Sequence, residues 1–242
     1  MRDLRPVVLL DIDDTILDFQ TAEATALRRT FNEMGVPVND ALIARYSAIN
    51  RSQWELLEEG VLTREEVLVC RFELLFEELG LPHSGEAACR RYEELLCEGH
   101  WFMPGAERLL EELKGDYRLF IVSNGSAKVQ AARLASAAIG PYFEQIFISE
   151  EVGAEKPTRA FFDRCFARIP DWDPARAILV GDSLTSDIRG AKNAGMLSVW
   201  YNYRGRSGRA EIRPDYEISD LAELPPLLAR LFSKKLREGE IM

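Results

Sequence analysis

The pattern of apolar and polar positions changes character twice along the chain. It opens on Val7-Val8-Leu9-Leu10, a run that suits a strand buried on both faces. That run stops abruptly at Asp11-Ile12-Asp13-Asp14. From about residue 17 to 100 the apolar positions recur at helical spacing. Leu27, Phe31 and Met34 form one stripe over 23–34, and Gly35 closes it. Residues 40–60 read as one or two helices built on Leu42, Ile43, Tyr46, Ile49, Trp54 and Leu57. Thr63-Arg64-Glu65-Glu66 resembles a capping box and opens a helix to Leu79, which Gly80-Leu81-Pro82 stops. A further helix runs from Ser84 or Gly85 to about Gly99. No strand pattern longer than three residues interrupts this stretch, so it reads as a small helical domain inserted after the first strand.

From Pro104 the pattern alternates between the two periods. Helices are predicted over 104–114, 127–138, 158–167, 186–194 and 224–236. Strands are predicted over 118–122, 145–148, 177–181 and 197–201, with a short sixth at 216–218. Strands that alternate with helices of this length imply a parallel sheet with right-handed crossovers. The expected fold class is α/β. A parallel-sheet core takes residues 1–16 plus 101–242, and an all-helical domain takes 17–100.

The strand ends carry the chemistry. In an open parallel sheet, ligands bind beyond the carboxyl ends of the strands. Those ends hold Asp11 and Asp13 after the first strand, Ser123 and Asn124 after the second, Glu150 and Glu151 after the third, and Asp182, Ser183 and Asp187 after the fourth. Lys156 lies in Gly153-Ala-Glu-Lys-Pro157, just before a helix. A buried strand that ends in carboxylates is costly unless the charges meet a cation or do chemistry. Asp11, the Asp13 carbonyl, Asp182 and, as ligand or neighbour of a ligand, Asp187 suit an all-oxygen Mg²⁺ site. A carboxylate at Asp11 can also attack phosphorus, and Asp13 can move the proton of the leaving oxygen. Ser123 and the N–H groups after it suit phosphoryl oxygens, and Lys156 offsets their charge. Asn124 either meets substrate or shapes the turn. In the helical segment, Asn50, Trp54 and Arg71 are the candidates to read a base or sugar, although core packing is the commoner fate of a helical Trp.

Composition narrows the partners. The net charge of −10, with no long basic run, argues against polymeric nucleic acid and against an anionic membrane. A small phosphorylated ligand fits if a metal or a local cation receives it. Four scattered cysteines and two histidines do not make a zinc site, and they suit a reducing cytoplasm. The basic start Met1-Arg2-Asp3-Leu4-Arg5 precedes an apolar run too short for a signal sequence or a membrane span. No leftover apolar stripe specifies an assembly, so the expectation is a monomer or a homodimer.

Taken together, Asp-Ile-Asp-Asp-Thr at 11–15, Ser-Asn-Gly at 123–125, Lys156-Pro157 and Gly-Asp-Ser-x-x-x-Asp at 181–187 resemble the four motifs of the haloacid dehalogenase superfamily. The helical insert resembles the C1 cap of its subfamily I. The resemblance implies a Rossmann-like core, a mobile cap, Asp11 as nucleophile, Asp13 as general acid and base, and Mg²⁺ as cofactor. The runs 46–54, 71–73 and 148–153 further resemble pyrimidine-nucleotide 5′-nucleotidases of that superfamily. That likeness implies a Mg²⁺-dependent phosphatase of nucleoside monophosphates. The alternatives are a phosphatase for phosphoglycolate or a sugar phosphate, a phosphosugar mutase, and a haloacid dehalogenase. The last has no leaving oxygen to protonate, which leaves Asp13 without a task. A receiver-like signalling module would be about half as long and lack the insert. A non-catalytic descendant would be expected to have lost some of these acids or Lys156.

Overall fold

The computed structural model describes residues 3–239, with side chains as far as Ser233. Met1, Arg2 and the last three residues, which the sequence reading assigns to the core, lie outside the described residues. By its contacts the chain divides into two compact units. One comprises Met1–Asp18, Phe102–Ala127 and Ala138–Met242, and the other Phe19–Trp101 and Lys128–Ala137.

The first unit is built on a six-stranded sheet. Its strands are β1 (Val7–Leu10), β2 (Arg118–Ser123), β3 (Gln145–Ile148), β4 (Ala177–Gly181), β5 (Leu197–Tyr201) and β6 (Tyr216–Ile218). They lie in the order β3-β2-β1-β4-β5-β6, and every pairing is parallel. The expected parallel sheet is therefore what forms. β1 and β4 are buried at every position, as apolar strands covered on both faces must be. From β1 the chain builds outward through β2 and β3 on one side. It then crosses back to β4 and builds outward through β5 and β6 on the other. The order reverses between β1 and β4, and such a switch point opens a crevice at the strands' carboxyl ends. The register sets Leu10 against Ile121 on one side and Val180 on the other, so Asp11 leaves β1 between the tips of β2 and β4.

The other unit holds four long helices, α1 (Phe19–Glu33), α2 (Asp40–Glu58), α3 (Arg64–Leu79) and α4 (Gly85–Leu96). Residues 40–58 form one helix, N-capped by Asn39. The Thr63–Glu66 capping box is fully made: the Thr63 hydroxyl accepts from the Glu66 N–H, and Glu66 accepts from the Thr63 N–H. α3 ends at Gly80 with φ +63°, a left-handed cap that suits glycine. Leu27, Phe31, Tyr46, Phe72, Phe76 and Tyr92 pack at the centre of this unit. Phe31 meets Tyr46, Phe72 and Phe76 edge-on at 6.2–6.5 Å.

The remaining helices are α5 (Ala106–Leu113), α6 (Ala127–Ser136), α7 (Ser149–Val152), α8 (Arg159–Phe166), α9 (Arg189–Ala194) and α10 (Leu224–Gly239). Two of them depart from the expected pattern. The single turn of α7 begins where β3 ends, so the polar tip of that strand is helical. Ahead of α9, residues 184–188 form a π-helical turn rather than the first turn of an α-helix. Most of α6 groups with the helical unit: Val129 belongs to that unit's apolar cluster, and the Arg133 guanidinium lies 5.7 Å from the Phe19 ring centroid.

Candidate active site

Asp11 is the first residue past β1, and its N–H still donates to Val180 O at 3.0 Å. The chain then turns sharply through Ile12–Leu17. Ile16 and Leu17 N–H groups both donate to Ile12 O, and Asp14 N–H donates to Leu17 O at 2.8 Å. Asp14 takes the left-handed region at φ +60°, which Asp tolerates better than most side chains. Asp11 is thereby buried at the strand tip, while Asp13 is partly exposed on the turn.

Lys156 enters from the loop after α7 and is 1 % exposed. Its Nζ donates to Asp11 Oδ1 at 2.7 Å, to Asp187 Oδ1 at 2.7 Å and to Val122 O at 2.9 Å. All three ammonium protons thus have acceptors. Burial by itself would lower the Lys156 pKa, but the Asp11 and Asp187 carboxylates outweigh it and hold the amine charged. Asn124, expected at the substrate or the turn, bonds the Lys156 backbone in both directions. Its Oδ1 accepts from Lys156 N–H at 2.9 Å and its Nδ2 donates to Lys156 O at 2.8 Å. Ser123 is buried, and its Oγ accepts from Gly125 N–H at 3.1 Å.

The tip of β4 supplies the other acids. Asp187 is 1 % exposed and uses its second oxygen to accept from Ser183 N–H at 3.1 Å. The close fit explains Gly181. A Cβ there would lie 2.2 Å from Asp187 Oδ2, so any larger residue would displace the carboxylate. One carboxylate oxygen each from Asp11, Asp182 and Asp187 lie within 4.8 Å of one another. The donors are all hard oxygens at converging positions, which fits Mg²⁺ better than a softer ion.

The electrostatics point the same way. Burial raises the Asp11 pKa, Lys156 pulls it back, and Asp187, Asp13 and Asp182 push it further up. For Asp182, burial and then Asp14 and Asp187 raise the value to about 7, against the pull of Arg206. The cluster thus carries more negative charge than its own cations offset, a condition that a divalent ion would relieve.

This imbalance predicts a pH effect in the metal-free protein. A carboxyl that titrates near 7 when folded and near 3.8 when unfolded binds protons more tightly in the native state. Its stabilising contribution is therefore present below pH ~4 and lost as pH rises to ~7, by up to about 4 kcal/mol. The thermal midpoint in EDTA should fall across this window, and Asp182→Asn should flatten the fall. Equal slopes for the two proteins would refute this account of Asp182.

In the helical unit, Asn50 and Arg71 are buried at 5 % and 3 % exposure and bonded to one another. Arg71 Nη1 donates to Asn50 Oδ1 at 3.0 Å, and Asn50 Nδ2 donates to Glu23 Oε1 at 2.8 Å. Ser47 donates to the other Glu23 oxygen. The Arg71 guanidinium lies over the Tyr92 and Phe72 rings at 5.1 and 5.5 Å. Trp54 is half-buried, with the Arg64 guanidinium 5.6 Å from its ring. Asn50 and Arg71, expected with Trp54 to read a base or sugar, are joined with Glu23 in one internal polar chain.

Three groups at the site were missed from the sequence. Arg206 Nη2 donates to Asp182 Oδ2 at 2.7 Å and to its carbonyl at 2.9 Å, and the Trp200 indole N–H donates to that carbonyl at 2.8 Å. Arg204 lies 3.5 Å from Asp14. Both arginines follow the fifth predicted strand, so the signal for them in the sequence is a cation past a strand end that neighbours the acid-bearing tips.

The chain is similar to known proteins over most of its length. A family model for haloacid dehalogenase-like hydrolases matches residues 6–195. The chain is 40% identical to YfnB of Bacillus subtilis, named a HAD-hydrolase, over 91% of this chain and 94% of that protein. It is 33% identical to the pyrimidine 5′-nucleotidase PynA of Streptococcus pneumoniae, over 95% of this chain and 97% of that protein. It is 31% identical to the pyrimidine 5′-nucleotidase YjjG of Escherichia coli, over 92% and 97%. The magnesium-bound crystal structure of YfnB, which reveals interdomain movement in that protein, superposes with a TM-score of 0.89 over 94% of this chain and 99% of that one.

Proposed function

The chain belongs to the haloacid dehalogenase-like hydrolases, and we propose that within that family it is a Mg²⁺-dependent phosphatase of nucleoside 5′-monophosphates with pyrimidine bases. The observation that carries the reading is Asp11. It is a buried carboxylate at the sheet's switch point, tethered to Lys156 and within 4.8 Å of Asp182 and Asp187 through one oxygen each. The nucleotide preference is supported by the pyrimidine nucleotidases among the relatives.

The residues divide the work as follows. Asp11 attacks phosphorus and forms an aspartyl-phosphate while the ester oxygen leaves. Asp13, partly exposed on the turn two residues on, gives that oxygen a proton and later takes one from the water that hydrolyses the acyl phosphate. A group in this role contributes about 10²–10⁴-fold. Ser123 and the N–H groups that follow it hold the phosphoryl oxygens. Lys156 keeps Asp11 aimed and offsets the charge that builds when carboxylate meets phosphate. Asn124 fixes the Lys156 backbone, and Asp187 fixes its ammonium. Asp11, Asp182, Asp187 and the Asp13 carbonyl would hold Mg²⁺, which when bound screens the repulsion between nucleophile and phosphate.

A panel of phosphate monoesters that includes dUMP, dTMP, purine nucleotides, sugar phosphates and phosphoglycolate tests this directly. Phosphate release is expected with Mg²⁺ and not with EDTA, and kcat/KM is expected to be highest for the pyrimidine nucleotides. Turnover that persists in EDTA would refute the metal. A preference for phosphoglycolate or a sugar phosphate would refute the nucleotide assignment alone.

A further inference from the structure

The acids at the strand tips have counter-ions of two origins. Lys156, which belongs to the motif set, serves Asp11 and Asp187. Asp182 is served by Arg206, five residues past the end of β5. The loop that carries Arg206 is built to present it. Asn202 Oδ1 accepts from Arg206 N–H at 2.8 Å, and Asn202 Nδ2 donates to Arg206 O at 2.9 Å. The same Nδ2 donates to Glu217 Oε1 on β6 at 2.7 Å, which ties the loop to the sheet edge. Gly205 closes the turn at φ +58°, with its N–H on Asn202 O at 3.0 Å. The arginine backbone is thus held on both sides before its side chain reaches the acid.

The guanidinium holds Asp182 at two points through one nitrogen, the carboxylate Oδ2 and the main-chain carbonyl. Trp200 holds that carbonyl from the strand side. Oδ1 is not engaged by the arginine and is left to act as a ligand. Three carboxylates crowded together repel one another, and a side chain with nothing behind it would swing away from the cluster. A planar, permanently charged donor on Oδ2 opposes that swing. Hydrogen bonds behind a ligating carboxylate commonly govern metal affinity.

We propose that Arg206 is a positioning residue for the divalent cation: it pre-sets Asp182 so that the acid cluster is assembled before the ion arrives. The inference rests on the Mg²⁺ reading above, and the experiment separates the two. Metal-free protein is titrated with MgCl₂ in a calorimeter, alongside Arg206→Gln and Arg206→Lys. Arg206→Gln is expected to weaken Mg²⁺ binding by about 10–100-fold. Arg206→Lys restores the charge but not the two-point hold, so it should recover only part of that loss. The Mg²⁺ concentration for half-maximal rate should rise in parallel, while kcat at saturating Mg²⁺ changes far less. Should Arg206→Gln fail to fold, Asn202→Ala loosens the same loop and is expected to weaken binding in the same direction. Unchanged affinity in a folded Arg206→Gln protein overturns the proposal, and so does tighter binding, which would make the guanidinium a competitor of the ion. Full recovery in Arg206→Lys also overturns it, because charge alone would then suffice. A wild-type protein that binds no Mg²⁺ overturns the metal assignment itself, and this inference with it.

Discussion

Asp11→Asn is expected to leave a folded protein with turnover reduced by at least about 10³-fold, because in the proposed mechanism Asp11 alone forms the covalent intermediate. The fold should not suffer. Asp11 sits buried among Asp13, Asp182 and Asp187, so a neutral amide of the same shape removes repulsion that burial makes worse. Lys156 keeps two of its three acceptors, Asp187 and Val122 O. The metal-free thermal midpoint should therefore stay level or rise by a few degrees while activity vanishes. Asp13→Asn gives the contrasting result. The nucleophile survives, so a burst of leaving group without steady turnover is expected in rapid-quench kinetics. Near-normal activity in Asp11→Asn would refute the phospho-aspartyl mechanism. Steady-state rates unchanged in Asp13→Asn would remove Asp13 from it.

Lys156→Met should damage both stability and activity. The methionine keeps the unbranched stem of the side chain but leaves Asp11 and Asp187 buried without their shared cation. Breaking a buried ion pair from one side costs about 3–5 kcal/mol, which for a chain of this size lowers the thermal midpoint by roughly 6–20 °C. Val122 O loses its donor as well. Because in the proposed mechanism the lost charge serves both nucleophile and phosphate, the kcat deficit should persist at saturating Mg²⁺. This distinguishes Lys156 from Arg206, whose deficit should be overcome by more metal. A Lys156→Met protein that melts like the wild type would show that Asp11 and Asp187 do not depend on the lysine for their burial.

Much of this was legible in the chain. An apolar run of four residues that ends in three acids suits a covered strand delivering charge to an edge. Repetition of strand, polar tip and helix then places the other tips on the same edge, since right-handed crossovers make neighbouring strands parallel. Asp11, Ser123, Lys156 and Asp182 were found in this way. The helical insert was legible from period alone, and Thr63 and Gly80 punctuate it where the chemistry of caps requires. Local departures were not. The turn of α7 and the π-helical turn at 184–188 arise where Glu150 Oε2 accepts from Ala127 N–H and where Asp187 must reach back to Lys156. Both are demands from distant residues.

The roles of Asn124 and Arg206 belong to the tertiary structure in the same sense. Asn124 follows a strand, as a phosphate ligand would, yet its amide bonds a backbone 32 residues away. Arg206 lies past the fifth strand in no motif, and it meets Asp182 across 24 positions only because β5 pairs with β4 and sets their ends side by side. Asn50 and Arg71 show the same limit: periodicity puts each on a helix, but only packing joins them to Glu23 inside the unit. Residue type and local period therefore determined which polar residues stand at the strand ends, because strand, polar tip and helix recur in order along the chain. Which polar groups hold them still was decided by the fold, because hydrogen-bond partners are set by distance in space.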